Sequence, residues 1–343
     1  MKSKQTILLI YTGGTIGMME DPESGSLIPF DFAQLRVHVP ELRRFDCSIE
    51  AVSFDNPIDS SDVSIESWQR MAQMVEVNYD HYDGFVILHG TDTMAFSASA
   101  LSFMLQNVAK PIIFTGSQLP IGQIRTDGKE NLITAIEIAA DTENGMPIVQ
   151  EVCVLFQSKL FRGNRTHKYS TENFDAFESA NLPALAEIGI HIQYRKDLLL
   201  RPEGPLTIRK SFDESVGILK IFPGISRKYV EAVLSLDGMK AFVLESFGAG
   251  NGPTDSWFLD ALRHATSRGI IILNITQCNK GMVEQGLYET SSSFEEIGII
   301  SGGDMTTEAA LVKLMYLLGL NYSASDMKRI LLESISGERM SGE

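Results

Sequence analysis

Cysteine is scarce in this chain. Only Cys47, Cys153 and Cys278 occur, an odd number of widely separated thiols. That usage argues against a disulfide-stapled secreted fold and for a reducing, cytoplasmic setting. No apolar stretch approaches the roughly 20 residues needed to cross a bilayer, so a membrane partner is not expected. The run Ile7–Ile10, preceded by Lys2 and Lys4, is short and leads straight into glycine-rich sequence. It reads as a first strand, not a signal peptide. Positive charge is also in deficit, with 29 Lys and Arg against 44 Asp and Glu and a formal net charge of −15. A surface that neutralises nucleic-acid phosphates is thereby disfavoured. The motifs G-x-x-x-x-G-K-[ST], G-x-G-x-x-G, G-x-S-x-G and H-E-x-x-H are all missing. With six scattered histidines and no zinc-type cysteine spacing, a metal site would have to be assembled from distant segments, and the nucleotide, serine-hydrolase and zinc readings all lose ground.

What remains is ordinary globular material: 343 residues, 44% hydrophobic and 21% charged. The length exceeds what one core usually serves, so two domains are expected. Thr6–Tyr11, Gly84–Leu88, Pro111–Thr115 and Val152–Phe156 are apolar on consecutive positions, the pattern of strands covered on both faces. Helical spacing of Ile65, Trp68, Met71, Ala72 and Val75, with Ser64 as N-cap, predicts a helix between the first two. Ala95–Asn107 and Asn131–Ala140 read as further helices. This alternation predicts an α/β fold with a doubly wound, mostly parallel sheet over residues 1–192. Residues 193–214, rich in Arg, Lys, Asp, Pro and Gly, read as a linker. After them Val216–Phe222, Ala241–Leu244 and Gly269–Thr276 read as strands. Arg227–Leu236, Asp255–Ser267, Thr306–Leu320 and Ser325–Ile335 read as helices, so a smaller α/β domain is expected over 215–343.

Two glycine-threonine turns follow predicted strands. Tyr11-Thr12-Gly13-Gly14-Thr15-Ile16-Gly17 would let the chain turn sharply, aim N–H groups into a cleft and carry Thr15 to its edge. A plain strand-to-helix turn, or a phosphate-cradling loop, is the alternative. His89-Gly90-Thr91-Asp92-Thr93 sets a hydroxyl beside a carboxylate at a second strand end, where Thr91 or Asp92 could equally cap the next helix. Ligands of open α/β sheets bind at such carboxyl ends. A threonine hydroxyl needs a group to take its proton before it can act as a nucleophile. Arg162-Gly163-Asn164-Arg165-Thr166-His167-Lys168 supplies candidate bases, a lysine serving if its surroundings lower its pKa.

Together these segments resemble the bacterial type I (cytoplasmic) L-asparaginases of the asparaginase/glutaminase family. Asp59-Ser60-Ser61-Asp62, Thr115-Gly116-Ser117-Gln118, Gly248-Ala249-Gly250-Asn251 and Ile300-Ser301-Gly302-Gly303-Asp304-Met305-Thr306 stand in the family's order. The resemblance implies hydrolysis of the side-chain amide of L-asparagine to L-aspartate and ammonia through a threonine acyl-enzyme, without metal or cofactor. Thr15 matches the attacking threonine, and Thr91, Asp92 and Lys168 match the proton-handling group. Substrate contacts are implied for Asp59, Ser60, Ser61, Thr91, Asp92 and Ser117, and a homodimer or homotetramer for the assembly. The resemblance also reaches the amidase component of tRNA-dependent amidotransferases, and a catalytically inactive asparagine sensor would keep the same frame.

The sequence departs from the family pattern twice. Leu27 stands where these enzymes usually carry a tyrosine, and Tyr288, in Gly286-Leu287-Tyr288, is the candidate replacement. Some intracellular members bind a regulatory asparagine near a Thr-Gln-Cys segment, here Thr276-Gln277-Cys278, with an arginine in the strand before Gly248. Here that strand reads Leu244-Glu245-Ser246, and a glutamate cannot pair with an effector carboxylate.

Overall fold

A computed structural model describes residues 4–20, 27–29, 39–284 and 289–340. The chain forms two units. The first comprises Met1–Ser179 and Pro183–Lys210, the second Ala180–Leu182 and Ser211–Glu343.

The first unit is built on an eight-stranded sheet. Its strands are β1 (Gln5–Gly13), β2 (Cys47–Ile58), β3 (Gly84–Leu88), β4 (Ile112–Thr115), β5 (Val152–Phe156), β6 (Lys159–Arg162), β7 (Ala186–Ile188) and β8 (Ile192–Tyr194). Their spatial order is β8-β7-β6-β5-β4-β3-β1-β2. The five strands from β5 to β2 pair in parallel, and β6, β7 and β8 extend the sheet antiparallel. Every residue of β3, β4 and β5 is buried, which is why their apolar runs are continuous.

The edge strand β2 has no such run, and the apolar-run criterion missed it. It buries only Cys47 and Phe54, and the Arg70 guanidinium lies 4.4 Å from the centre of the Phe54 ring. A strand covered on one side needs no continuous apolar face. Its register with β1 breaks near the end, Tyr11 facing Ser53 but Gly13 facing Ile58. This bulge presses Ile58 against the first glycine of the Gly13-Gly14 turn.

Helix α1 (Ile65–Asn78) begins with a capping box in which Ser64 and Ser67 bond each other's backbone N–H. It buries Trp68, Met71, Ala72 and Val75 of the stripe that the spacing predicted, and half-buries Ile65. Helix α2 (Met94–Met104) is buried on nearly all sides. Its Ser99 and Ser102 hydroxyls donate to the Ala95 and Ala98 carbonyls, 2.8 and 2.7 Å away. It ends earlier than expected because Leu105–Gln106 pairs antiparallel with Thr207–Ile208, and Asn107 turns left-handed at φ 59°. Helix α3 spans Gly128–Ala140.

The polar stretch 193–214 thus contains strand residues, and its part up to Lys210 belongs to the first unit. The buried Glu151–Arg162 pair, 2.7 Å apart, serves it: Leu200 N–H donates to Glu151 at 2.8 Å and Arg162 donates to the Leu198 carbonyl. These backbone bonds are invisible in a composition profile.

The second unit has four parallel strands in the order β9 (Val216–Lys220), β10 (Ala241–Ser246), β11 (Ile271–Thr276) and β12 (Ile300–Ser301). Helices α4 (Arg227–Leu234), α5 (Ser256–Ser267), α6 (Glu289–Ile297), α7 (Thr307–Gly319) and α8 (Ala324–Leu332) complete it. Leu219, Phe242, Leu244, Phe258, Leu262 and Phe294 belong to its apolar core. In the same unit Lys313 and Glu338, both fully buried, form an ion pair at 2.6 Å. Glu338 also accepts from the Ile335 and Ser336 N–H groups, and Lys313 donates to the Glu333 carbonyl.

Candidate active site

The carboxyl ends of β1 and β3 meet in a contact that only glycine permits. Gly13 and Gly14 have φ of 139° and 85°. A Cβ on Gly14 would lie 2.4 Å from the Gly90 nitrogen, and one on Gly90 would lie 2.6 Å from Ser60 Oγ. The Gly14 turn, Gly90 and the Ser60 turn are therefore stacked, which brings Thr15, Ser60 and Thr91 to one edge of the sheet.

Hydrogen bonding sorts the threonines of this edge. Thr12 is buried and its hydroxyl donates to the Leu88 carbonyl at 2.9 Å, tying β1 to β3. Thr93 precedes α2, but its hydroxyl reaches the Ser60 carbonyl at 2.6 Å and does not cap the helix. Thr15 is half-buried at the start of the 3₁₀ turn Thr15–Gly17, and among the described residues its hydroxyl has no partner. The far end of that turn is held by Tyr11. Its ring packs against Gly17, where a Cβ would come within 2.1 Å, and its hydroxyl donates to the Gly17 carbonyl at 3.3 Å. Burial pushes the Tyr11 phenol up to about 12, so it stays neutral.

Thr91 and Asp92 do not cap α2 either. The Lys168 ammonium donates to Thr91 Oγ1 at 2.7 Å and to Asp92 Oδ1 at 2.6 Å. Lys168 is carried in by a two-residue ribbon, His167–Lys168 paired with Phe177–Glu178. Its side chain is only 12% exposed, whereas that of Asp92 is 64% exposed.

Of the expected substrate contacts, Ser60 is buried with a hydroxyl that has no partner among the described residues. Asp59 instead folds over its own turn and accepts from the Ser61 N–H at 2.9 Å and the Ser61 hydroxyl at 2.5 Å. These bonds, the hydroxyl foremost, hold the Asp59 carboxyl below its usual pKa. Ser117 is buried and donates to the Leu119 carbonyl at 2.6 Å. Its neighbour reaches Thr91. Gln118 Oε1 accepts from the Thr91 hydroxyl at 3.3 Å, while its Nε2 donates to the Thr171 and Asn173 carbonyls at 3.2 and 3.1 Å. Two carbonyl acceptors on the nitrogen settle which way the amide faces. Sequence reading passed over Gln118, although it stands in the same quoted segment. The Gln118 and Leu119 N–H groups both bind Asp127, which fixes this loop.

A family model, "Asparaginase, N-terminal", matches residues 6–200, and a second, "Glutaminase/Asparaginase C-terminal domain", matches residues 215–331. The chain belongs to the asparaginase family. It is 41% identical to L-asparaginase 1 of Escherichia coli K12 over 338 residues, 98% of each chain. The crystal structure of L-asparaginase I from Vibrio cholerae superposes with a TM-score of 0.89 at 39% identity, covering 98% of this chain and 100% of that one. The 60 kDa lysophospholipase of Mus musculus is 40% identical over 98% of this chain, which spans 63% of that larger protein.

Tyr288 lies outside the described residues. Leu27 pairs with Glu20 in the ribbon Met18–Glu20 with Leu27–Pro29, which follows the Thr15 turn. In the second unit, Glu245 is buried at the end of β10. Lys220 lies 2.9 Å from it and the Thr307 hydroxyl donates to it at 2.6 Å. Among the described residues no group of three or more His, Cys, Asp or Glu could hold a metal ion, and no helix is long and apolar enough to cross a membrane.

Proposed function

We propose that this chain hydrolyses the side-chain amide of L-asparagine to L-aspartate and ammonia through an acyl-enzyme on Thr15. One observation carries the reading: the Lys168 ammonium bonds Thr91 Oγ1 and Asp92 Oδ1 at 2.7 and 2.6 Å, beside a threonine turn whose Thr15 hydroxyl is unengaged. An amide resists attack, and two easier steps replace one hard one when a hydroxyl is acylated. In the first, the Thr15 oxygen bonds the amide carbon and its proton leaves on ammonia as the C–N bond breaks. In the second, water takes the place of ammonia, and its hydroxyl ends on aspartate while Thr15 regains a proton. Thr91 and Lys168 are proposed to activate that water and return the proton.

Ser60, Ser61 and Asp92 are proposed to hold the α-carboxylate and α-ammonium groups, and Asp59 to shape the turn that presents them. Asp92 supplies the negative charge that an ammonium needs. The Thr91 N–H has no acceptor among the described residues and is proposed as a donor to the developing oxyanion. Tyr288 is proposed as the phenol that the family otherwise carries at the position of Leu27, with Tyr288→Phe lowering kcat tenfold or more. Full turnover in that variant would remove it from the mechanism. Assembly as a homodimer or homotetramer and residence in the cytoplasm belong to the same reading.

The test is ammonia release from asparagine and glutamine. Asparagine is expected to be preferred, because an extra methylene in a tight pocket costs about 1–3 kcal/mol of discrimination. Absence of ammonia release from asparagine would overturn the reading, and equal kcat/KM for the two amides would overturn the preference.

A further inference from the structure

The peptide that carries Thr91 is held from behind by a buried chain of side chains outside the proposed catalytic set. Trp68, on α1, donates from Nε1 to the Ser97 hydroxyl oxygen at 3.0 Å. Ser97, on α2, lies 2.9 Å from His89 Nε2. His89 Nδ1 lies 2.6 Å from the Gly90 carbonyl oxygen. All three side chains are buried, Ser97 completely and Trp68 least, at 7% exposure. The edge of the His89 ring rests on Phe114, 5.8 Å between centres.

The chain permits one arrangement of protons. A carbonyl oxygen 2.6 Å from a ring nitrogen requires a hydrogen on that nitrogen, so Nδ1 is the donor. Burial pushes the His89 pKa down to about 4, so at neutral pH the ring carries one proton and Nε2 is an acceptor. The Ser97 hydroxyl therefore donates to Nε2 while its oxygen receives the indole N–H. Each of these groups has a partner of the right kind.

We infer that His89, locked in its Nδ1–H tautomer by Ser97 and Trp68, is a positioning residue that sets the plane of the Gly90–Thr91 peptide and so aims the Thr91 N–H at the substrate. In a trans peptide the carbonyl and the following N–H point in opposite directions, and no cis bond occurs among the described residues. Drawing the Gly90 carbonyl onto His89 turns the Thr91 N–H away from the core. The Gly14 turn and Ser60 leave Gly90 no room to translate. Rotation of the peptide plane is the freedom left, and His89 removes it. The inference rests on the oxyanion role proposed above for the Thr91 N–H.

Two near-isosteric variants separate this role from plain core packing. An asparagine places its side-chain N–H close to where Nδ1 lies, whereas a glutamine reaches toward the position of Nε2. His89→Asn should keep kcat for asparagine within about fivefold of wild type. His89→Gln should lower kcat by about thirtyfold or more with KM little changed, because a misaimed oxyanion donor is felt in the transition state. Equal losses in both variants, a loss confined to KM, or wild-type kcat in His89→Gln would overturn the inference. A nitrogen-15 spectrum of the wild-type imidazole gives a second reading that needs no variant to fold. It should show Nδ1 protonated and Nε2 bare at pH 7, and the opposite tautomer would also overturn the inference. A wild-type chain without asparaginase activity would instead overturn the proposed function, a result plainly distinct from an active enzyme indifferent to His89→Gln.

Discussion

Four threonines in two short motifs look alike in sequence, and their hydrogen bonds divide them into two kinds. Thr12 and Thr93 donate to the backbone carbonyls of Leu88 and Ser60, which are structural bonds. Thr15 has no hydroxyl partner among the described residues, and Thr91 accepts from Lys168. Thr15→Ala and Thr91→Ala are therefore expected to lower kcat for asparagine at least a hundredfold, about 2.7 kcal/mol or more of barrier, while leaving stability nearly unchanged. Thr12→Val should do the reverse, costing about 1–3 kcal/mol of stability with a smaller loss of turnover. Urea denaturation beside steady-state kinetics checks both, and a Thr15→Ala variant with over a tenth of wild-type kcat would remove Thr15 from the mechanism. Residue types and order were legible because the motifs are specific. The division of labour was not, because a hydroxyl's partner can lie 76 positions away, as Leu88 does from Thr12. Gln118 escaped notice for a related reason: its value lies in an amide orientation set by carbonyls more than 50 residues onward.

Among the elements, burial on both faces made the central strands legible, and Gly84–Leu88 and Val152–Phe156 fall where their apolar runs place them. The edge strand β2 and the antiparallel strands β7 and β8 carry weaker patterns, because fewer of their residues are buried. Yet β2 positions the site, since its end presses on Gly13 and its following turn holds Ser60. The two turns proposed to be catalytic are best tested where they touch. Gly14→Ala puts a methyl group 2.4 Å from the Gly90 nitrogen at a φ of 85°, an arrangement that backbone atoms cannot relieve by a side-chain move. It is expected to cost roughly 1–3 kcal/mol of stability from the strained φ alone, and to lower kcat further than Thr12→Val does, because both turns must part. An alanine variant with wild-type turnover would show that the stacking of the turns is dispensable.

For the whole molecule, the acidic balance of −15 speaks to solubility more than to the fold, and the response to acid is set in part by one buried ring. The His89 pKa is about 4 in the folded chain against an ordinary 6.5. Between those two pH values the unfolded chain binds more protons, so stability falls as pH falls through that window. The full contribution is about 3 kcal/mol, reached near pH 4. His89→Asn should lose less stability than wild type between pH 7 and 4.5 in urea titrations, and parallel losses would contradict the assignment. The pair Lys313–Glu338 reaches further, into how the chain is made. Helix α7 cannot bury the Lys313 ammonium alone, since an unpaired buried charge costs several kcal/mol. Its partner lies 25 positions onward in the tail that wraps it. On the ribosome the eight-stranded sheet of the first unit has all its strands once Tyr194 has emerged, whereas the second core lacks the partner of Lys313 until Glu338 is free, so synthesis itself favours an order in which the proposed catalytic edge forms before the second core closes.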